Sequence, residues 1–337
     1  MQPVRGIEKL MREAGSFSHV CVVTTPGGTE QLATPQSGIF ALGCSYHCYL
    51  EFDRTSTTSS ADLVAAVCNL EVPRTTPSGA NLVTGFRPSL WRQMEPDGVP
   101  HELEDFAEDL SGIDGYYMPA TQRDLWVWVS AASYSDAFTL GRLVIEQLKK
   151  VASCVEDIFG WSHAQSRDLT GFIDGTANPN LLEAPNVAII PNGSIGAGGS
   201  SLLFQKWRHR LEEFDQLSEK EQESVIGRTK REGDEFEEDD LPADSHVART
   251  TLIEGERELP IFRRNSAYGT PTENGTVFIG FSSDVTRLTK LLDRMAGKQD
   301  GIRDALTRYT DALSGSYYFI PSNESIRKFA DQVEFLT

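Results

Sequence analysis

Gly171-Phe172-Ile173-Asp174-Gly175-Thr176-Ala177-Asn178-Pro179 is the passage of this chain whose residue types most invite chemistry. Asp-Gly and Asn-Pro are turn dipeptides, so one reading is a double turn stabilised by Asx hydrogen bonds. The other is catalytic: Phe172 and Ile173 would hold the Asp174 carboxylate against apolar groups on a constrained backbone, the setting that tunes an acid or base. His246 is a second position of interest, because Asp244-Ser245-His246-Val247-Ala248-Arg249 follows an acidic run at the entry to a structured segment. A lone histidine there can serve structure or ligation, and taken by itself the structural role is the commoner one. Phe262-Arg263-Arg264-Asn265 reads by composition as a strand with a basic exposed edge.

Other clusters carry less. Cys44-Ser45-Tyr46-His47-Cys48 has the residue types of a metal site. On a strand, the period of two puts Cys44, Tyr46 and Cys48 on one face and His47 on the other, and no second Cys/His pair lies nearby, so a core strand is preferred. Gly193, Gly196, Gly198 and Gly199 lead into a strand and lack the Lys-Ser/Thr of a P-loop, which reads as a connection and not a phosphate cradle. His19, His101, His163 and His209 have no neighbouring ligand types.

The elements that must position these residues alternate short apolar runs with helical patterns. Strands are expected at 20–23, within 40–52, and at 81–86, 125–129, 202–207, 276–281 and 317–320. The run at 125–129 is apolar at every position, which implies burial on both faces. Ser59 or Ser60 caps a helix that ends before Pro73, Ser135 caps one reaching Val151, and Ser218-Glu219-Lys220-Glu221 is a capping box opening a third toward Ile226. Further helices are expected over 285–295 and 304–313, and Asn274-Gly275 signals a tight turn. Strands with helices returning to one face imply an α+β fold, read here as two similar subdomains, 1–165 and 166–337.

Charge limits the partners. The chain has 337 residues with 31 Lys+Arg against 49 Asp+Glu, a formal charge of −18 that argues against nucleic acid or an anionic membrane. The excess is clumped: seven acids and no base fall within 95–109, and eight more with no base within 232–244. Five sparse cysteines without a C-x-x-C pair imply reduced thiols and a cytoplasmic setting. The opening residues show no signal-peptide core, and no apolar run approaches the ~18–20 residues that span a bilayer.

The order in which the motifs occur carries further information. Gly171-Phe172-Ile173-Asp174-Gly175-Thr176-x-Asn178-Pro179 is followed by Val225-Ile226-Gly227-Arg228-Thr229-Lys230, by Ser245-His246-Val247-Ala248-Arg249, by Arg263-x-Asn265 with Tyr268-Gly269, and by Gly315-Ser316-Tyr317-Tyr318-Phe319-Ile320-Pro321-Ser322. The spacing from Asp174 to His246 is 72 residues, and from His246 to Arg263 it is 17. This combination, over roughly residues 169–322, resembles the dye-decolourising peroxidases of the compact bacterial B-type subgroup; the first half resembles them only in its pattern of elements.

The resemblance implies two ferredoxin-like α+β halves, with haem b held mainly by the second. It makes His246 the axial ligand of the haem iron and, by motif, Asp304 the acid that fixes the other imidazole nitrogen, against the plainer reading of Asp304 and Arg308 as an i,i+4 surface pair. Asp174 and Arg263 would lie on the other haem face as acid/base and fixed cation, with Asn265 positioning water or peroxide. Gly175 and Thr176 would contact the cofactor, and Arg228 would pair with a propionate or stand as a helix-end surface residue. The implied activity reduces hydrogen peroxide and oxidises small aromatic or dye-like donors through a ferryl haem, in a homo-oligomer. Haem or porphyrinogen processing, and non-catalytic haem binding, are the alternatives. Ala177 stands where many members of the subgroup carry Glu, and nothing after Ser322 resembles the tail by which some relatives are packaged into protein shells.

Overall fold

In the computed structural model, which describes residues 32–72, 79–164 and 166–330, the main elements of the first half are β1 (Tyr46–Arg54), α1 (Ser60–Cys68), β2 (Asn81–Phe86), α2 (Pro88–Met94), β3 (Leu125–Ala131), α3 (Tyr134–Leu148) and β4 (Ala152–Trp161). The second half adds β5 (Ser200–His209), α4 (Glu219–Ile226), α5 (His246–Thr250), β6 (Phe262–Arg263) and β7 (Ser266–Gly269). It finishes with β8 (Asn274–Ser282), α6 (Val285–Met295), β9 (Thr310–Ala312) and β10 (Ser316–Ile320). All of these lie within one unit, Ala33–Thr337. The strand expected at 20–23 lies outside the described residues.

The strand order is β4-β1-β3-β2 in the first half and β10-β5-β8-β7 in the second. Each is a β-α-β-β-α-β unit whose first strand lies between its third and fourth, which is the ferredoxin-like order. The two sheets then share edges. Ala267 and Tyr268 of β7 pair with Trp161 and Gly160 of β4, and Phe319 of β10 pairs with Phe86 of β2. Among the described residues the result is a closed antiparallel ring of eight strands, joined at those edges by two residue pairs and by one.

Period-two alternation decides what fills the ring. Along β3, Leu125, Val127 and Val129 join the cluster under the helices, whereas Trp126 and Trp128 point inward to Tyr49, Phe204 and Tyr318. Both tryptophans are fully buried, as expected for a run apolar at every position. Each such ring removes ~150–250 Å² from water, roughly 4–6 kcal/mol of gross burial energy.

Local signals hold where a side chain caps a backbone donor. Ser59 with Asp62, and Ser218 with Glu221, form reciprocal capping boxes, and α4 ends on left-handed Gly227. Three expectations are corrected. Helix α3 starts after Ser133, not Ser135, because the Ser133 side chain accepts from the Asp136 amide. The helix expected over 304–313 is a short 3₁₀ turn, Ala305–Arg308, after which Thr310–Ala312 pair with β5 instead. Asn274-Gly275 is not the turn: that lies at 270–273, closed by the Thr270 amide on Glu273 O at 2.7 Å. Gly275 sits inside β8, where a Cβ would stand 1.8 Å from the Trp207 carbonyl oxygen, so its role is close strand approach.

Candidate active site

The outer face of β5 and β8, carrying Gln205, Trp207, Thr276 and Phe278, floors a cavity with about 1390 Å³ of empty space counted to its open mouth. Its lining includes Asp174, Gly175, Thr176, Arg228, His246, Arg263 and Asn265. The fold thus gathers into one place residues far apart in the chain, Asp174 and Asn265 among them at 91 positions.

His246 opens α5, whose N-cap Ser245 accepts from the Ala248 amide. Its Nδ1 lies 2.7 Å from Oδ2 of Asp304, a fully buried carboxylate whose Oδ1 accepts from the Leu306 amide at 2.9 Å. With Nδ1 engaged by an acceptor, the ring proton resides there and Nε2 presents a lone pair. Arg308 pairs with Asp244 at 3.3 Å, so it does not compete for Asp304. Arg249, three residues beyond His246, forms a two-pronged pair with Asp300 (2.8 Å on both prongs) and so ties α5 to the segment after α6.

Asp174 is held by its own amide, which donates to Ser166 O at 2.8 Å, and Asn265 Nδ2 approaches Asp174 Oδ1 at 3.4 Å. Asn265 Oδ1 is buried and bonds to no described residue, leaving an acceptor without a donor. Phe172 and Ile173 both line the cavity beside Asp174, and Phe172 also packs with Phe214 and Ile226. Arg263 has its backbone clamped at both ends by Asn178, whose Oδ1 accepts from Arg263 N and whose Nδ2 donates to Arg263 O, both at 2.9 Å. The Arg263 guanidinium forms no ion pair among the described residues, so its charge is available to the cavity. Arg264 is no exposed edge: it is buried, donates to the carbonyls of Ile39 and Ala41, and lies over the Trp128 ring. Arg228 pairs with Glu235 and donates to Gly233 O, and burial together with nearby Arg263 lowers its pKa against the pull of Glu235.

Asn178 and Glu235 were not singled out by the sequence reading. Asn178 had a visible signal in its Asn-Pro dipeptide, which reported only a turn; Glu235 was one acid among eight.

The residues from Asp168 to Thr310 around this cavity match a known pattern. The model of the family described as Dyp-type peroxidase, C-terminal, matches residues 165–325. A dye-decolourising peroxidase of Rhodococcus erythropolis (strain PR4 / NBRC 100887) is 34% identical over 251 residues, which is 72% of each chain. The chain belongs to the dye-decolourising peroxidase family. Its fold agrees: the dye-decolourising protein from V. cholerae superposes with a TM-score of 0.77 at 29% identity, covering 88% of this chain and 97% of that one. A variant of DypB from Rhodococcus jostii RHA1, solved in complex with heme, gives 0.78 at 30% identity over 88% and 97%. As in the family, the two halves are ferredoxin-like, and the cavity lies on the second.

The donor set fits such a cofactor. A neutral imidazole nitrogen, apolar walls at Val247, Ile261, Leu291 and Met295, the cations Arg228 and Arg263, and an orphaned buried acceptor on Asn265 suit an iron porphyrin with charged edges and a small polar ligand.

Proposed function

We propose that this chain is a haem b peroxidase that holds the cofactor through His246, with Arg228, Gly175 and Thr176 along its edge and Asp174, Arg263 and Asn265 acting on hydrogen peroxide. The observation that carries the reading is His246 Nδ1 at 2.7 Å from the buried Asp304 carboxylate, in the cavity that also receives Asp174, Arg263 and Asn265. Bound haem supplies an iron that takes up peroxide and then withdraws electrons singly from a donor. Asp304 holds the His246 ring in the tautomer that offers Nε2, and strengthens it as a donor. Asn265 Oδ1 accepts a hydrogen bond from the peroxide hydroxyl. Asp174 would accept a proton from one oxygen of the peroxide and return it to the other. Arg263, whose backbone Asn178 fixes, would supply positive charge to the peroxide.

We also propose that 1–165 and 166–337 are the subdomains, a division supported by the repeated strand order. A cytoplasmic protein accords with the free thiols of Cys44, Cys48 and Cys154. No described helix is long and apolar enough to cross a membrane. Self-association is supported by the exposed Tyr134 and Phe138, stacked at 6.4 Å. Small aromatic compounds are the proposed donors.

The test is stopped-flow absorbance of the full chain with haem and peroxide. A Soret band that His246→Ala abolishes or shifts is expected, and peroxide should react slowly in Asp174→Asn and Arg263→Leu. A band indifferent to His246→Ala removes the ligand assignment, and wild-type rates in both other variants remove the roles of Asp174 and Arg263.

A further inference from the structure

The loop that carries Asp174 closes on itself as a small antiparallel ladder. Asp174 N donates to Ser166 O at 2.8 Å, Asp168 N to Phe172 O at 2.9 Å, and Arg167 bridges Ile173 between them. On such a ladder residues 168 and 174 share a face as a diagonal pair, about 7–8 Å apart. Both line the active-site cavity, and both also line a second cavity, with about 660 Å³ of empty space counted to its open mouth, that includes His163, Arg167 and Arg264.

Asp168 uses its two oxygens unequally. Oδ1 accepts from Thr170 N, Thr170 Oγ1 and Phe172 N at 2.9, 2.6 and 3.1 Å, whereas Oδ2 receives no bond from a described residue. The first oxygen shapes the loop, and the second is left to the cavities. Burial, followed by the like charge of Asp174, raises the Asp168 pKa above the usual carboxylate range against the pull of its Thr170 and Phe172 bonds. The surrounding cations do not cancel this. Arg167 is spent on the carbonyls of Gly171, Lys230 and Arg231, Arg264 on those of Ile39 and Ala41, and Lys230 on Gln222 beside the Phe172 ring. Arg263 and His163 share the second cavity without an ion pair to Asp168.

We propose that Asp168 is a positioning residue of the peroxide site: it faces the same two cavities as Asp174 and, of the two carboxyls, takes the proton, so that Asp174 is left ionised as the base. With one proton and one negative charge between them, Asp168 holds the proton while Asp174 is the ionised base, and no proton is gained or lost by the pair over the peroxide step. This rests on Asp174 being the acid/base of the proposed reaction.

The test is infrared titration of the carboxyl C=O band in the full-length protein, with and without haem. Asp168→Asn assigns the Asp168 band, and Asp174→Asn, which leaves all three Asp168 bonds in place, tests the coupling. The midpoint of the Asp168 band should fall by on the order of one pH unit in Asp174→Asn, the size expected for like charges at the diagonal spacing in an effective dielectric of ~20. An unmoved midpoint overturns the proposal. Should Asp168→Asn fail to fold, the wild-type minus Asp174→Asn difference still decides: coupled sites give two pH steps, and a single step overturns it. In the holoenzyme, Asp168→Asn should leave the acid limb of the peroxide-reaction rate in place, because the amide is neutral like the protonated carboxyl it replaces, and a limb that moves overturns the assignment of the proton to Asp168. If haem fails to bind, the reaction assignment falls, while the haem-free titration still reports on the pair.

Discussion

Replacing Asp304 by Asn keeps the shape of the side chain and removes its charge. The carboxylate is fully buried, Oδ2 accepts from His246 Nδ1 at 2.7 Å, and Oδ1 accepts from the Leu306 amide at 2.9 Å. In the variant, the amide oxygen keeps the Leu306 bond, so the NH₂ must face Nδ1. Nδ1 then has to accept, and the ring proton moves to Nε2, the nitrogen the iron requires. A hydrogen bond to a charged group contributes ~1.5–3 kcal/mol, and loss of the partner that orients a metal-bound histidine typically lowers affinity ~10–100-fold, or ~1.4–2.8 kcal/mol. The two estimates agree, and the forced tautomer places the expected loss toward the upper end. Haem titration of the full chain, followed by the Soret band, measures it directly. The iron–histidine stretch should also fall in frequency, because a less anionic partner makes a weaker donor. Circular dichroism controls for folding, since Asp304 also caps the 3₁₀ turn. Affinity within twofold of wild type with an unmoved stretch would refute the reasoning.

Three further outcomes are expected. Glu51 is buried, accepts from Tyr318 Oη at 2.5 Å and Ser316 Oγ at 3.2 Å, and burial pushes its pKa from 4.5 to about 7. The folded state therefore holds a proton that the unfolded chain releases, so stability should decline as pH rises from about 4.5 through about 7, by on the order of 3 kcal/mol. Glu51→Gln should flatten that decline in urea unfolding measured across pH. Gly275→Ala should lower thermal stability or block folding, because its Cβ meets the Trp207 carbonyl oxygen; an unchanged melting temperature would contradict the strand register. Oxidation of anionic dyes should rise with added salt, because the acids of 232–244 directly precede His246, and a flat response would confine that charge to solubility.

What the sequence by itself determined was local. Short apolar runs identified β2 and β3 and serine side chains marked the starts of α1 and α4, because each of these signals spans only a few residues, and the order of the GFIDGT, SHVAR and RxN motifs identified the family. His47 was legible as part of a core strand, whereas the half-buried place of His209 was not legible. Trp128 Nε1 donates to His47 Nδ1, and burial followed by the charge of Arg264 lowers its pKa to about 3. His209 bonds two threonine hydroxyls, and burial lowers its pKa to about 4. Only the tertiary structure decided whether Asp304 faced Arg308 or His246, since a turn that stays 3₁₀ and then joins β5 points that carboxylate differently from a helix. The same holds for the clamp of Asn178 on Arg263 and for the shared face of Asp168 and Asp174. Each depends on which segments meet across a closed ring of strands, and hydrogen-bond partners dozens of residues apart are chosen by strand register and burial, which no short window of sequence contains.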